Sequence, residues 1–270
     1  MKKAIIIPSY KAAHTLPSVL ERIPTAFWEN GVAIIVNDCS PDDTGKVADS
    51  LKEKWPGLIV EHHAKNQGYG GAQKTGLLRG LKEGAEAFAV VHADGQYAPE
   101  IVLDLLTPII QGEADIVQGS RMLSGGALEG GMPITRYVSN RGLTLFENLV
   151  FGTNMAEFHS GYMLYSKRLL VNVPFEKLQN NYNFDAEMIV LASILDIRCH
   201  EMSIPTRYDD EISSLNPIPY GLNVLKMVGR YILGHYHKML HYFRQEKAAE
   251  KSAQKAREET EPTNSSTSTT

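Results

Sequence analysis

The amino-acid sequence predicts an α/β fold built on a single, mainly parallel, doubly wound sheet. Three observations carry that prediction. Strand-like and helix-like segments alternate over residues 1–120, the order that produces right-handed crossovers between parallel strands. The central strand-like segments are apolar without alternation, as in strands covered by helices on both faces. The strand-to-helix junctions PSYKA, NDCSPDD, KNQGYGG, HADGQY and GSRM are polar or small, which gathers reactive groups on the sheet edge where open α/β sheets bind ligands.

The elements follow in order. KAIII (3–7) is the first strand and leads to a helix near 15–23; VAIIV (32–36) is the second and leads to a helix over 44–54. LIVEH (58–62) precedes a helix near 72–83, the apolar run at 88–92 precedes a helix over 99–110, and ADIVQ (114–118) closes the regular part. Glycines crowd 123–131, which predicts a mobile loop. Beyond it come a helix over 134–151, a strand GYMLYS (161–166), a helix over 184–195 and a strand IRCHEMSI (197–204). The apolar stretch 220–243 is interrupted by Lys226, Arg230 and Lys238, so a helix packed on the domain or lying in a membrane interface is expected rather than a span. From 245 the chain turns charged and then Ser/Thr-rich, the composition of a frayed, solvated extension. The organisation expected is therefore a main α/β domain over 1–215, an amphipathic helical segment over 216–244 and a tail over 245–270.

Composition narrows the function. With 270 residues and 43% apolar content the chain can bury one large core. Its net charge of −4 gives no electrostatic case for nucleic-acid binding. Cys39 and Cys199 have no metal-ligand spacing, so both are expected to be buried thiols in a reducing compartment. A strand beginning at residue 3 leaves no room for a signal peptide, and a cytoplasmic protein is expected.

The chemistry concentrates in FAVVHADGQY, 88–97. If the strand continues past the apolar run, His92, Asp94 and Gln96 fall at i, i+2, i+4 and point to one side. A carboxylate and an amide oxygen so placed suit a hard divalent cation that shares its shell with phosphate, whereas imidazole suits manganese better than magnesium. The plain alternative is a strand ending in a Gly95 turn that Asp94 caps. Two other phosphate-binding readings are weak. PSYKAAHTL follows the first strand where a dinucleotide site would need its three glycines. GYGGAQKT (68–75) resembles a phosphate-binding P-loop, but Gln73 stands where the glycine before the lysine should be and would crowd the backbone cradle.

Taken together, IIIPSY, IVNDCSPDDT, NQGYGGAQKTG, VVHADGQYAPE, GSR and HSGYMLYSK, in that order over roughly 4–168, resemble the inverting family 2 glycosyltransferases. The similarity is to the dolichyl-phosphate mannose synthase-like and polyprenyl-phosphate sugar transferase branch, and IPTRYDDEISSLNPIPYGLNVLK extends it. The resemblance implies a GT-A fold, a nucleoside-diphosphate sugar donor and Mn2+ or Mg2+. It places Pro8, Tyr10, Val36, Asp38 and Ala93 at the donor nucleotide, and Asp94 and Gln96 at the metal, with His92 where the pattern has its first acid. Two further departures are Asn37 in place of the first acid of a pair and Ala12 in place of a glutamate.

The same resemblance makes Arg121 the cation that meets phosphate charge at the transfer point. Arg136 matches an arginine that meets an acceptor phosphate, with Asn140 where a serine would stand, while 211–215 lacks that branch's two late basic residues. Arg136 and Arg141 lie five apart, so only one can face a site. A hydroxyl acceptor would need a base, for which Asp185 and Glu187 are the candidates, although acids in a first helical turn also simply favour the helix dipole. The expectation is transfer to polyprenyl phosphate with peripheral membrane contact. A soluble enzyme using a hydroxyl acceptor, and a nucleotide-sugar-binding protein without turnover, stand as the alternatives.

Overall fold

The computed structural model describes residues 1–123, 126–205 and 217–260. All seven expected strands form: β1 (Lys3–Ser9), β2 (Gly31–Asn37), β3 (Leu58–His62), β4 (Ala87–Val90), β5 (Ile116–Ser120), β6 (Met163–Ser166) and β7 (His200–Ser203). They make one sheet in the order β3-β2-β1-β4-β6-β5-β7. Every pairing is parallel except those of β6, which runs antiparallel to both β4 and β5. The reversal has a local cause. The chain re-enters the sheet beside the end of β5, where the Gly119 N–H donates to the Tyr162 carbonyl, so β6 can only run back down.

The helices are α1 (Leu16–Glu21), α2 (Thr25–Trp28), α3 (Thr44–Leu51), α4 (Tyr69–Lys82), α5 (Val102–Ile110), α6 (Gly126–Glu129), α7 (Ile134–Phe151), α8 (Lys167–Asn172), α9 (Phe184–Ile194), α10 (Pro217–Ile232) and α11 (His235–Thr260). Two-residue periodicity sorts the apolar strands onto two layers. Ala4, Ile6, Ile34, Phe88 and Val90 face a core shared with α4, α9, α10 and α11. Ile5, Ile7, Ile35, Ala89 and Val91 face a second core under α1, α2 and α5. Burial on both faces explains the unbroken apolar runs, each large side chain contributing roughly 1.5–3 kcal/mol.

Several expectations are corrected. Within the glycine-rich stretch, 126–129 form α6, and Ala127 packs with Met122 and Met132 in a small satellite core. The C-terminal segment is two helices, divided at Gly234, whose φ is +71°. Val224, Met227, Val228, Tyr236 and Leu240 are buried in the main core, so α10 and α11 are integral to the fold. Helix α11 continues through 245–260, where fraying was expected; its Ala, Gln, Glu and Lys content favours helix, and Lys247 pairs with Glu250 at i,i+3. Cys199 is buried as expected, but Cys39 is exposed at a loop position with φ +56°. The 211–215 segment and the end of the tail lie outside the described residues.

Candidate active site

A cleft of about 1870 Å³ opens over the carboxyl ends of β1, β2 and β4. One wall carries Pro8, Tyr10, Asp38, Ala93, Asp94 and Gln96; the other carries Arg121, Arg136, Asn140 and His159; Asp185 lies among the residues of the floor. The sheet edge thus gathers the expected residues with one exception. Val36 is fully buried beneath α4 among Ile6, Ile34 and Ala72, because it shares the parity of Ile34 on β2 and not that of the junction that follows. No part of it reaches the cleft.

The expected alternation of His92, Asp94 and Gln96 does not form. Strand β4 stops at Val90, and a turn at Gly95, with φ +74°, follows. Asp94 and Gln96 are exposed on the turn, where Asp94 Oδ1 accepts the Gln96 backbone N–H at 3.0 Å. His92 turns inward instead. Its Nε2 lies 2.8 Å from the Tyr69 hydroxyl, which is itself 2.8 Å from Asp185 Oδ2. Space for this ring exists only because residue 161 is glycine: a Cβ there would come within 2.5 Å of His92 Nε2 and 2.8 Å of the Tyr69 oxygen.

Asp185 is the buried end of this chain. Its Oδ1 accepts from Gln73 Nε2 at 2.9 Å and from the Tyr165 hydroxyl at 3.4 Å. Burial raises its pKa to about 7, against the opposing effect of the Gln73, Tyr69 and Tyr165 hydrogen bonds. The same burial pushes the Tyr69 phenol well above its ordinary value and holds the His92 imidazole below its own. With Asp185 ionised, His92 donates to Tyr69 and Tyr69 to Asp185; with Asp185 protonated the direction can reverse. Gln73, which spoils a P-loop, is therefore placed by this carboxyl. The helix start is closed to phosphate as well, since Gly70 N–H donates to the Asn180 carbonyl at 2.8 Å. Lys74 donates to the Leu178 carbonyl and to Asn180 Oδ1.

Asp38 reaches the cleft with its oxygens already engaged. Oδ1 lies 2.7 Å from His63 Nδ1 and accepts the Gln67 N–H at 2.7 Å, while Oδ2 accepts the Gly68 N–H at 2.8 Å. It fixes the loop that opens α4. On the opposite wall Arg121 is buried against fully buried Glu157, which also accepts the Arg121 backbone N–H at 3.0 Å and Asn140 Nδ2 at 3.0 Å. A further bond from Arg121 reaches the His159 carbonyl at 2.8 Å. Glu157 therefore offsets the guanidinium charge and locks its fork. On α7, Arg136 lines the cleft, and Arg141 instead donates to the Ala156 carbonyl at 3.2 Å. Glu187 is fully buried away from the cleft, accepting from Gln179, Arg230 and Tyr236; it is a structural carboxylate and cannot serve as base.

Tyr69, Glu157 and His159 were not singled out from the sequence. Glu157 and His159 carry a signal, as polar residues embedded in the apolar run MAEFHSGYM; Tyr69 carries none beyond its place in a glycine-rich junction. For a divalent cation the fit is narrow. Among the described residues no group of three His, Cys, Asp or Glu side chains could hold a metal ion. Asp94, with an exposed oxygen-donor carboxylate on the cleft wall, suits a hard cation that draws its other ligands from phosphate and water.

Comparison with known proteins adds to this geometry. The family model described as glycosyl transferase family 2 matches residues 4–173. The undecaprenyl-phosphate mannosyltransferase of Micrococcus luteus is 31% identical over 205 residues, covering 76% of this chain and 83% of that protein. The UDP-N-acetylglucosamine–dolichyl-phosphate N-acetylglucosaminyltransferase of Methanococcus voltae is 28% identical, covering 76% and 86%. Among solved structures, glucosyl-3-phosphoglycerate synthase of Mycobacterium tuberculosis, in complex with Mn2+, uridine-diphosphate-glucose and glycerol 3-phosphate, superposes with a TM-score of 0.60 at 17% identity, covering 87% of this chain and 80% of that one.

Proposed function

The chain belongs to glycosyl transferase family 2, and from that premise and the cleft geometry we propose that it transfers a sugar from a nucleoside-diphosphate donor to a polyprenyl phosphate. The observation that carries the choice of acceptor is the contrast between two groups on the cleft. Arg136 stands exposed on the α7 wall, while both oxygens of Asp185 accept hydrogen bonds from protein groups. A phosphate acceptor arrives ionised and needs a cation to hold it; a hydroxyl acceptor needs a base that its proton can reach, and Asp185 is buried. The relatives named for undecaprenyl and dolichyl phosphate point the same way.

In this reading the nucleotide lies along Pro8, Tyr10 and the Asp38-braced loop. The acceptor phosphate is held between Arg136 and Arg121. An acceptor oxygen attacks the anomeric carbon, the bond from that carbon to the donor's diphosphate breaks, and the nucleoside diphosphate leaves with the electron pair. Asp94 would hold a divalent cation, which supplies positive charge for the departing diphosphate. Glu157 keeps Arg121 rigid, so little reorganisation accompanies the reaction.

One observation favours a second reading. Asp185, with its pKa at about 7 and its link through Tyr69 to His92, has the proton affinity of a general base for a hydroxyl acceptor. One assay separates the two. Arg136→Ala is expected to abolish transfer to a short-chain prenyl phosphate while leaving donor affinity by calorimetry within about twofold, and Asp185→Asn is expected to retain transfer. Efficient transfer to a water-soluble alcohol, lost in Asp185→Asn and unaffected by Arg136→Ala, would replace the first reading with the second.

A further inference from the structure

A row of rings runs from the start of β6 to the floor of the cleft. Between ring centroids, Tyr162 and Tyr97 lie 5.4 Å apart, Tyr97 and His92 4.9 Å, His92 and Tyr69 5.3 Å, and Tyr69 and Tyr182 5.2 Å. The lower rings meet edge-on or tilted, whereas Tyr182 stacks on Tyr69 with 29° between the planes. Their polar ends are tied as well. The Tyr162 hydroxyl donates to the Ala98 carbonyl at 3.0 Å, the Tyr97 hydroxyl accepts the Gly161 N–H at 3.0 Å, and the Tyr69 hydroxyl lies between His92 and Asp185. Each ring therefore rests on one that cannot turn. Tyr162 and Tyr97 are buried, while Tyr182, at the top of the row, is 52% exposed and lines the cleft.

The loop that carries Tyr182 is held just as firmly. Gln179 gives its backbone N–H and its side-chain amide to Glu187, at 2.7 and 3.0 Å. The Asn180 carbonyl accepts the Gly70 N–H at 2.8 Å, Asn180 Oδ1 accepts from Lys74 at 2.7 Å, and Asn181 Oδ1 accepts the Asn183 N–H at 2.9 Å. A half-exposed aromatic ring on so rigid a support loses little freedom when a ligand covers it, which is what makes such rings effective anchors. Tyr69 covers one face of the ring and leaves the rest to the cleft.

Position and charge select the occupant. Tyr69 follows Gly68, whose N–H meets Asp38 on the nucleotide side, and its hydroxyl reaches Asp185 on the floor and His92, two residues before Asp94. The ring stacked on it thus stands over the floor between the nucleotide wall and the wall of Arg121 and Arg136, where the transferred group has to lie. Phosphate fits poorly there: Lys74, which reaches this loop, is engaged by the Leu178 carbonyl and Asn180, and Glu176 is an exposed acid among the lining residues. A pyranose has a face of C–H groups that leaves water against an aromatic plane, with hydroxyls around its rim. A sugar bearing a carboxylate would meet the charge of Glu176.

We propose that Tyr182, backed by Tyr69, is the platform on which the pyranose ring of the donor is laid, and that with Glu176 beside it the platform takes an uncharged sugar in preference to a uronate. The platform rests on the nucleotide-sugar donor proposed above and is independent of the choice of acceptor.

Calorimetry on the full chain with Mn2+ tests the platform, using UDP and GDP, their glucose, N-acetylglucosamine and mannose derivatives, and the matched uronates UDP-glucuronate and GDP-mannuronate. For the neutral nucleotide sugar that the parent binds best, Tyr182→Ala is expected to lower affinity at least about fivefold while the free nucleoside diphosphate binds within about twofold of the parent. Tyr182→Phe keeps the ring and is expected to match the parent within about twofold for both ligands. The uronate on the same nucleotide is expected to bind the parent at least about fivefold more weakly, a gap that Glu176→Gln narrows. Unchanged circular dichroism shows that the variants fold. Equal weakening of nucleotide sugar and free diphosphate would put the nucleotide itself on the ring. Weaker transfer that deepens with prenyl chain length, at unchanged donor affinity, would put the acceptor there. Either result overturns the proposal, as does a folded Tyr182→Ala that binds the nucleotide sugar like the parent; a uronate bound as tightly as the neutral sugar overturns the charge selection. A parent chain that binds none of these nucleotides overturns the donor reading and the platform with it. A chain that passes these tests but never glycosylates a short-chain prenyl phosphate keeps the platform and loses the acceptor assignment alone.

Discussion

A carboxyl held among Tyr69, Gln73 and Tyr165 makes Asp185 a source of pH-dependent stability. Its folded pKa of about 7 lies above its ordinary value of 3.8. Between those values the folded state keeps a proton that the unfolded chain releases, so this contribution is complete below the unfolded value and is lost as pH rises toward 7. The span corresponds to on the order of 4 kcal/mol. Thermal melts of the parent and of Asp185→Asn are therefore expected to diverge, the variant gaining relative to the parent from pH 5 to pH 8. His92, whose pKa is lowered by burial, acts with the opposite sign. Asp38 makes a second residue-scale case. Asp38→Ala removes the acceptor for His63, Gln67 and Gly68, and urea unfolding is expected to show a loss of roughly 2–4 kcal/mol, with donor affinity falling as the loop loosens. The sequence made both aspartates legible as site candidates, Asp38 at a strand-to-helix junction and Asp185 in the first turn of a helix. It could not show that both oxygens of Asp38 are already engaged or that His92 faces Tyr69. Those facts depend on partners 23 to 30 residues away in the chain.

Helices and strands were readable wherever burial on two faces or a full helical turn pattern left a strong periodic signal. Helix α7 spans Ile134–Phe151, the range its sequence pattern predicts, and strands β1 to β6 form where the apolar runs lie. What escaped was set by pairing and by short range. The antiparallel course of β6 follows from the chain re-entering the sheet beside β5, a contact that no local pattern encodes. The division between α10 and α11 rests on Gly234 alone, a residue that a long apolar segment tolerates without announcing a turn. The consequence of that division is that Tyr236, on the first turn of α11, donates to fully buried Glu187 Oε1 at 2.6 Å, beside Arg230 of α10 at 3.2 Å. One carboxylate thus fastens α9 to both C-terminal helices. Tyr236→Phe keeps the ring and removes the donor, so chemical denaturation is expected to show about 1–3 kcal/mol less stability, with the unfolding still cooperative.

At the scale of the molecule the question is where the domain ends. Composition suggested a catalytic unit over 1–215 with an amphipathic segment and a tail attached, yet the main core draws Phe88, Phe158 and Met188 together with Val224, Met227, Tyr236 and Leu240 from beyond that boundary. Those C-terminal side chains are 0–3% exposed, and stripping them would open apolar surface over α9, the helix that carries Asp185. The outer part of α11 differs. Lys177 pairs with Glu246 at 2.8 Å, and from there residues 247–254 are exposed along their length. Two truncations separate these regions. A chain ending at residue 247 is expected to melt within about 2 °C of the parent and to bind donor equally, because it loses solvated helix only. A chain ending at residue 216 is expected to lose cooperative thermal unfolding and donor binding together, since a core deprived of whole buried side chains forfeits several kcal/mol at each of several positions. A stable, donor-binding 1–216 fragment would show instead that the sheet and its first nine helices fold without α10 and α11, and would return those two helices to the status of an attachment.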